Sequence, residues 1–151
     1  MHRPHSRGAV LAYEHTIAET AERLFEACET GKGWAGCRQY CYPDATFTAQ
    51  TDALADVTTR EAYTEWMLGL MKILPDGEAE VRSFAVDEMH HNLAVFEIFR
   101  GTHTGDGGPV PPTGRSAEAD YVYVMDFDGD KIRHMTKIWS DGVTMQQIGW
   151  A

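Results

Sequence analysis

The hydrophobic period of this chain changes at Pro75-Asp76-Gly77, and that break constrains the fold more than any other feature. Before it, Tyr63, Trp66, Met67, Leu70, Met71 and Leu74 recur at the three- and four-residue spacing that puts side chains on one face of a helix. After it, Ala79 to Met89, Leu93 to His103, Ala117 to Phe127 and Lys131 to Trp139 are rich in Val, Ile, Phe, Tyr and Thr and read as strands. Asp128-Gly129-Asp130 signals a tight hairpin between the last two. His90-His91-Asn92 marks another join, and the glycines and prolines from Gly105 to Gly114 mark a long loop, read as a lid, a surface loop or a dimer contact. Helices followed by strands predict an α+β domain, with N-terminal helices packed on one face of a mainly antiparallel sheet. Strands of about ten residues twist and curl. The sheet is therefore expected to form a cone, or half-barrel, with a pocket at its open end. The hairpin from Glu118 to Asp141 should be one wall of the core.

The earlier segment reads as elements that close the cone. Residues 1–12 form a flexible arm, and 13–151 a single domain without repeat or linker. Thr16 and Glu19 have the spacing of a capping box. Ile17, Ala21, Leu24, Phe25 and Cys28 then make a helical stripe, ended by Gly31 and Gly33. Trp34 to Tyr42 reads as a short second helix stopped by Pro43, and Ala45 to Gln50 as a short strand. Thr58 and Glu61 cap the third helix. Gly142 to Ile148 reads as a closing helical turn.

Composition excludes some functions. Thirteen basic residues against 23 acidic ones give a net charge of −10, the wrong sign for neutralising nucleic-acid phosphates. No stretch approaches the roughly 20 apolar residues of a membrane span, and a cytoplasmic location is expected. Three cysteines, Cys28, Cys37 and Cys41, make no disulfide framework. Cys37 and Cys41 have helical spacing, but no further Cys or His follows at zinc-ligand spacing, so they read as core residues. No Ser-His-Asp elbow or dinucleotide fingerprint appears, and no cofactor or metal is expected.

Three phrases carry a family resemblance. They are Gly101-Thr102-His103-Thr104-Gly105 with Pro111-Pro112-Thr113-Gly114-Arg115, then Asp128-Gly129-Asp130-Lys131-Ile132, then Gln146-Gln147-Ile148-Gly149. Together with the element order they resemble the SnoaL-like polyketide cyclase branch of the nuclear transport factor 2-like superfamily, over about Thr16 to Trp150. The resemblance implies a homodimer, a hydrophobic pocket and an apolar small-molecule substrate. It also implies cofactor-independent acid/base catalysis of ring closure, by an aspartate near the end of the last strand. Asp141 is the nearest match, reached with a one-residue gap past Ser140.

The residues themselves suggest partners for it. An Asp141 carboxylate near Trp139 would have its proton affinity raised by desolvation, which suits a carbon-acid base. The alternative is a helix cap. His103, at a strand end beside the Gly/Pro loop, could donate to a substrate carbonyl or shuttle a proton, or bond the loop backbone. Tyr121 and Tyr123 share one strand face with Met125 and could act as oxyanion donors, or as core or dimer-interface residues, with Asp120, Val122, Val124 and Asp126 opposite. On the last strand Ile132, His134, Thr136 and Ile138 are expected on one face, and Arg133, Met135, Lys137 and Trp139 on the other. That mixture suits a sheet with one face at a pocket and one at a subunit interface, with His134 at either. Trp66 and Trp139 are candidate pocket walls. The leading expectation is a cyclase or isomerase acting on a polyketide-like or steroid-like carbonyl compound. The alternatives are a non-catalytic dimeric binding module, or an epoxide hydrolase or hydroxylase on the same fold.

Overall fold

The computed structural model describes residues 17–24, 26–28 and 32–151. The arm at 1–12, Thr16 of the first capping pair, Phe25 of the first stripe and Gly31 lie outside the described residues. Residues 17–24 and 26–28 are helical (α1). Ile17, Ala21, Leu24 and Cys28 are buried there, which follows from their shared face.

The second helix is shorter than expected. It covers Gly33–Cys37 (α2), is followed by a 3-10 turn at Arg38–Tyr40, and gives way to strand β1, Cys41–Ala49. Pro43 therefore sits inside a strand rather than stopping a helix. β1 is an edge strand, and its register slips between Cys41 and Thr46. A residue with no N–H is tolerated at such a place.

Helix α3, Arg60–Ile73, starts from an N-cap at Thr59, whose side chain accepts from the Ala62 N–H at 3.1 Å. The cap expected at Thr58 is thus one residue later. The Thr58 carbonyl instead accepts from the Phe47 N–H at 2.8 Å and ties the helix start to β1.

Strands β2 (Glu78–Asp87), β3 (Asn92–Thr102), β4 (Ser116–Asp128) and β5 (Lys131–Trp139) lie close to the four predicted runs. The chain closes with α4, Asp141–Gln147. The curved sheet is ordered β1-β5-β4-β3-β2. β2 to β5 are antiparallel neighbours, whereas β1 runs parallel to β5, so the sheet is mixed.

The inner face carries Leu93, Val95 and Phe99 of β3, then Tyr121, Tyr123 and Met125 of β4, all buried. Each such side chain contributes on the order of 1.5–3 kcal/mol on burial. On β5 the simple alternation fails. Asp126 pairs with His134 but Phe127 pairs with Ile132, so Arg133 is an extra residue in the strand. This bulge turns Ile132 inward beside Met135, Lys137 and Trp139, away from His134, Thr136 and Ile138. The outer face holds Phe96, Val122 and Ile138, the last 61% exposed.

Gly105 allows the long loop to dock. Its N–H donates to the Ile73 carbonyl at 3.0 Å, and a Cβ there would lie 1.9 Å from the Lys72 carbonyl oxygen. No helix among the described residues is long and apolar enough to cross a membrane.

Candidate active site

A cavity opens between the inner sheet face, α3 and α4. Met67, Leu70, Phe99 and Met145 are among its apolar walls, and Tyr121, Tyr123, Trp139 and Lys137 bring polar atoms to its lining. It is narrow, about 20 Å³, room for roughly one water.

Lys137 is the charged side chain in that lining. It points inward because it lies opposite Tyr123 on the inner face, and it is 5% exposed. Its Nζ donates to the Tyr63 hydroxyl at 2.9 Å. The Tyr63 and Tyr123 hydroxyls are bonded to each other. Five rings surround the amine, with centroids 4.6 Å (Trp139), 5.1 Å (Tyr63 and Tyr121) and 5.5 Å (Trp66 and Tyr123) away. An amine held against ring faces is stabilised as a cation by their quadrupoles.

Behind this cluster lies Glu97, on the inner face of β3 opposite Tyr121 and 1% exposed. Burial pushes its carboxyl above the ordinary range, opposed by a hydrogen bond from Tyr121 and the charge of Lys137. Its Oε2 atom has no hydrogen-bond partner. The inner face thus carries a carboxyl, two phenols and an amine, with the Tyr63 phenol of α3 bonded to them, walled by apolar groups.

The candidates read from the sequence divide. Tyr121, Tyr123 and Trp139 line the cavity. Trp66 packs edge-on to Trp139 at 5.9 Å, over the amine. Trp139 is held by its indole N–H, which donates to Thr144 of α4 at 2.9 Å.

The other three lie elsewhere. The Asp141 carboxylate accepts from the Ala53 N–H at 2.8 Å and from the Gly142 N–H at 3.0 Å. It borders a groove with Phe96, Val122 and Ile138 on the outer face, while Ser140 is the N-cap of α4. His103 is fully buried, and its Nδ1 accepts from the Thr113 N–H and the Trp150 indole N–H, both at 3.2 Å. Two donors on Nδ1 put the ring proton on Nε2, which finds no partner. His103 thereby clamps the Gly/Pro loop to the C-terminus. His134 lies outward, its ring nitrogens 2.6 Å from Thr46 Oγ1 and 3.0 Å from Thr48 Oγ1.

Sequence reasoning did not single out Lys137, Glu97 or Tyr63 as site residues. A signal was present for Glu97, a charged residue on the apolar phase of an alternating strand, whereas Lys137 lies on a strand whose faces mix polar and apolar residues. A residue on that apolar phase faces the core, and buried charge is rare without a purpose.

A second buried charge sits apart. Arg60 is fully buried, with its guanidinium 5.3 Å from the centre of the Tyr63 ring and beside the Cys41 thiol. Cys28, Cys37 and Cys41 are buried thiols in its electrostatic reach. Burial pushes Cys37 up to about 12, which leaves an inert thiol. Among the described residues no group of His, Cys, Asp and Glu could hold a metal ion.

Solved structures share this architecture. IdmH of Streptomyces antibioticus, provisionally named a polyketide cyclase, is 24% identical, with 88% of this chain and 98% of that one covered at a TM-score of 0.73. A SnoaL-like protein of Jannaschia sp. CCS1, with the same provisional name, is 20% identical over 91% and 94%, at 0.74. AclR of Streptomyces galilaeus, provisionally named a hydroxylase, is 20% identical over 89% and 87%, at 0.72. At such identities the likeness speaks for the fold. No curated protein matches the sequence. The family profile described as SnoaL-like polyketide cyclase matches residues 19–148. The chain therefore belongs to the SnoaL-like polyketide cyclase family.

Proposed function

We propose that this protein is a cofactor-independent cyclase or isomerase that moves a proton on an apolar, polyketide-like or steroid-like carbonyl compound. The observation that carries the reading is Lys137, an amine bonded to a buried phenol pair in the lining of an otherwise apolar cavity. A substrate carbonyl against Nζ would have its developing enolate oxygen stabilised in a water-poor site, where such donors act most strongly. Tyr121 lines the same cavity and bonds Glu97 behind it. A proton leaving the substrate α-carbon passes to the Tyr121 oxygen as the phenol proton passes to the Glu97 carboxylate. Reversal returns it to a different carbon, or to the oxygen formed by ring closure. Acid/base work thus rests on Lys137, Tyr121 and Glu97, while Asp141 and His103 bond to backbone and indole groups outside the cavity lining. A ligand larger than water needs α3 or α4 side chains to move aside.

The test is α-proton exchange, which needs no knowledge of the natural substrate. The wild type should accelerate deuterium incorporation into an apolar ring ketone such as 2-tetralone, followed by NMR. Lys137→Met should abolish the acceleration and Asp141→Asn should retain it. Acceleration that survives in Lys137→Met would sink the reading.

A second reading keeps one observation in its favour: among the described residues no carboxylate or histidine lines the cavity. A binding module would hold the ketone without exchanging its protons. Under either reading the apolar outer face of β3 to β5, with Phe96, Val122 and Ile138, supports a homodimer formed through the sheet.

A further inference from the structure

We propose that Lys137 is an amine nucleophile, whose Nζ condenses with the carbonyl of a ketone or aldehyde substrate to form an imine. This rests on the catalytic reading of the cavity and adds a covalent step to it.

Three observations point to it. The first is position. Lys32, Lys72 and Lys131 are exposed, while Lys137 is buried and lines the cavity. Removing water from a lysine disfavours its charged form, in opposition to the stabilisation the rings give the cation, and the neutral fraction carries a lone pair for attack.

The second is the proton partner. Glu97 is buried within electrostatic reach of Lys137, and burial favours its protonated form. One proton shared by such a pair can sit on either member. With it on nitrogen, Lys137 is a cation facing an oxyanion. With it on Glu97, Lys137 is a neutral amine with a general acid in reach through Tyr121.

The third is the cage of rings. Condensation converts a neutral amine into an iminium ion that carries carbon substituents and is weakly hydrated. Five ring centroids within 5.5 Å of Nζ offer such a cation its counterpart without water.

The step balances. The Nζ lone pair forms the C–N bond as the carbonyl π pair moves to oxygen, and a proton passes from nitrogen to that oxygen to give a carbinolamine. The Glu97 proton, relayed through Tyr121, goes to the hydroxyl, which leaves as water while the nitrogen lone pair makes the C=N bond. The iminium acidifies the α-carbon. Loss of that proton to Glu97 by the same relay gives an enamine, the carbon nucleophile for ring closure. Water then adds to the product iminium and releases the amine.

The test is reductive trapping on the full chain. Wild-type protein is incubated with 2-tetralone, reduced with borohydride, digested and mapped by mass spectrometry. The expected result is a reduced adduct at Lys137 at probe levels that leave Lys32, Lys72 and Lys131 unmodified, and its loss in Lys137→Arg. Arginine keeps charge and donors but forms no such imine. Adducts confined to the exposed lysines overturn the proposal. If Lys137→Arg also retains exchange of 2-tetralone protons, the covalent step fails while the acid/base reading stands. If Lys137→Met retains that exchange, the reading of the site itself fails. The wild-type map does not depend on how either variant folds.

Discussion

Replacing Tyr63 by Phe isolates the polar half of the site from its packing. The ring of Tyr63 stacks on Phe47 with centroids 4.4 Å apart and an interplanar angle of 8°, and phenylalanine keeps that contact. The variant loses the hydroxyl that accepts from Lys137 and bonds Tyr123. Each lost bond costs about 1 kcal/mol net, and partners left short in a buried site push the sum upward. The expected loss is therefore about 2 kcal/mol. For a chain of this length that lowers the melting temperature by roughly 4–8 °C. Urea unfolding measures it as a lower midpoint at unchanged slope, since the surface exposed on unfolding is the same. A loss below about 0.5 kcal/mol would refute the claim that Tyr63 holds the amine, because so small a cost means water or a shifted phenol replaces it freely. The same variant should slow ketone proton exchange, since Lys137 loses the acceptor that orients it.

Other expectations follow from buried charge and exposed surface. Arg60→Met should raise stability by about 1–3 kcal/mol, since it removes a buried guanidinium whose polar surroundings are thiols and phenols rather than carboxylates, and which opposes the α3 dipole; a lower urea midpoint would contradict this. Glu97→Gln tests the pH sign. The unfolded carboxyl releases its proton near 4.5 and the buried one at higher pH, so the unfolded state binds fewer protons and wild-type stability falls as pH rises through that window. The variant should exceed the wild type above the window and match it below about 4.5, and a gap of the opposite sign at neutral pH would defeat the assignment. Ile138→Glu places charge on the outer sheet face and should shift sedimentation from dimer to monomer; a dimer that persists argues against association through that face. Gly105→Ala drives a methyl into the Lys72 carbonyl, and faster proteolysis of the Gly/Pro loop is the expected readout.

The sequence legibly encoded its elements where period and punctuation agree. The stripe from Tyr63 to Leu74 became α3, and the alternating runs after Gly77 became β2 to β5. Local chemistry suffices there, because spacing alone decides which face of a helix or strand meets the core. It was less informative from Trp34 to Ala49. A strand that pairs in parallel at one edge has its partner, β5, far along the chain, and no local pattern announces such a contact.

The site divides in the same way. Tyr121, Tyr123 and Trp139 were legible as one-face residues with polar tips. Glu97 was visible as a charge among apolar neighbours, but only the folded sheet could join it to Lys137. Glu97 faces Tyr121, Tyr121 faces Trp139 and Tyr123 faces Lys137 across three strands. Two tertiary facts then decided which residues meet in the cavity. The bulge at Arg133 turned Ile132 inward and His134 outward, since one extra residue reverses the phase of a strand. The turn into α4 carried Asp141 to the Ala53 N–H on the outer side. Sequence alone thus determined that a curved sheet would cover a helix. The pairing of distant strands decided which of its charges would be buried together.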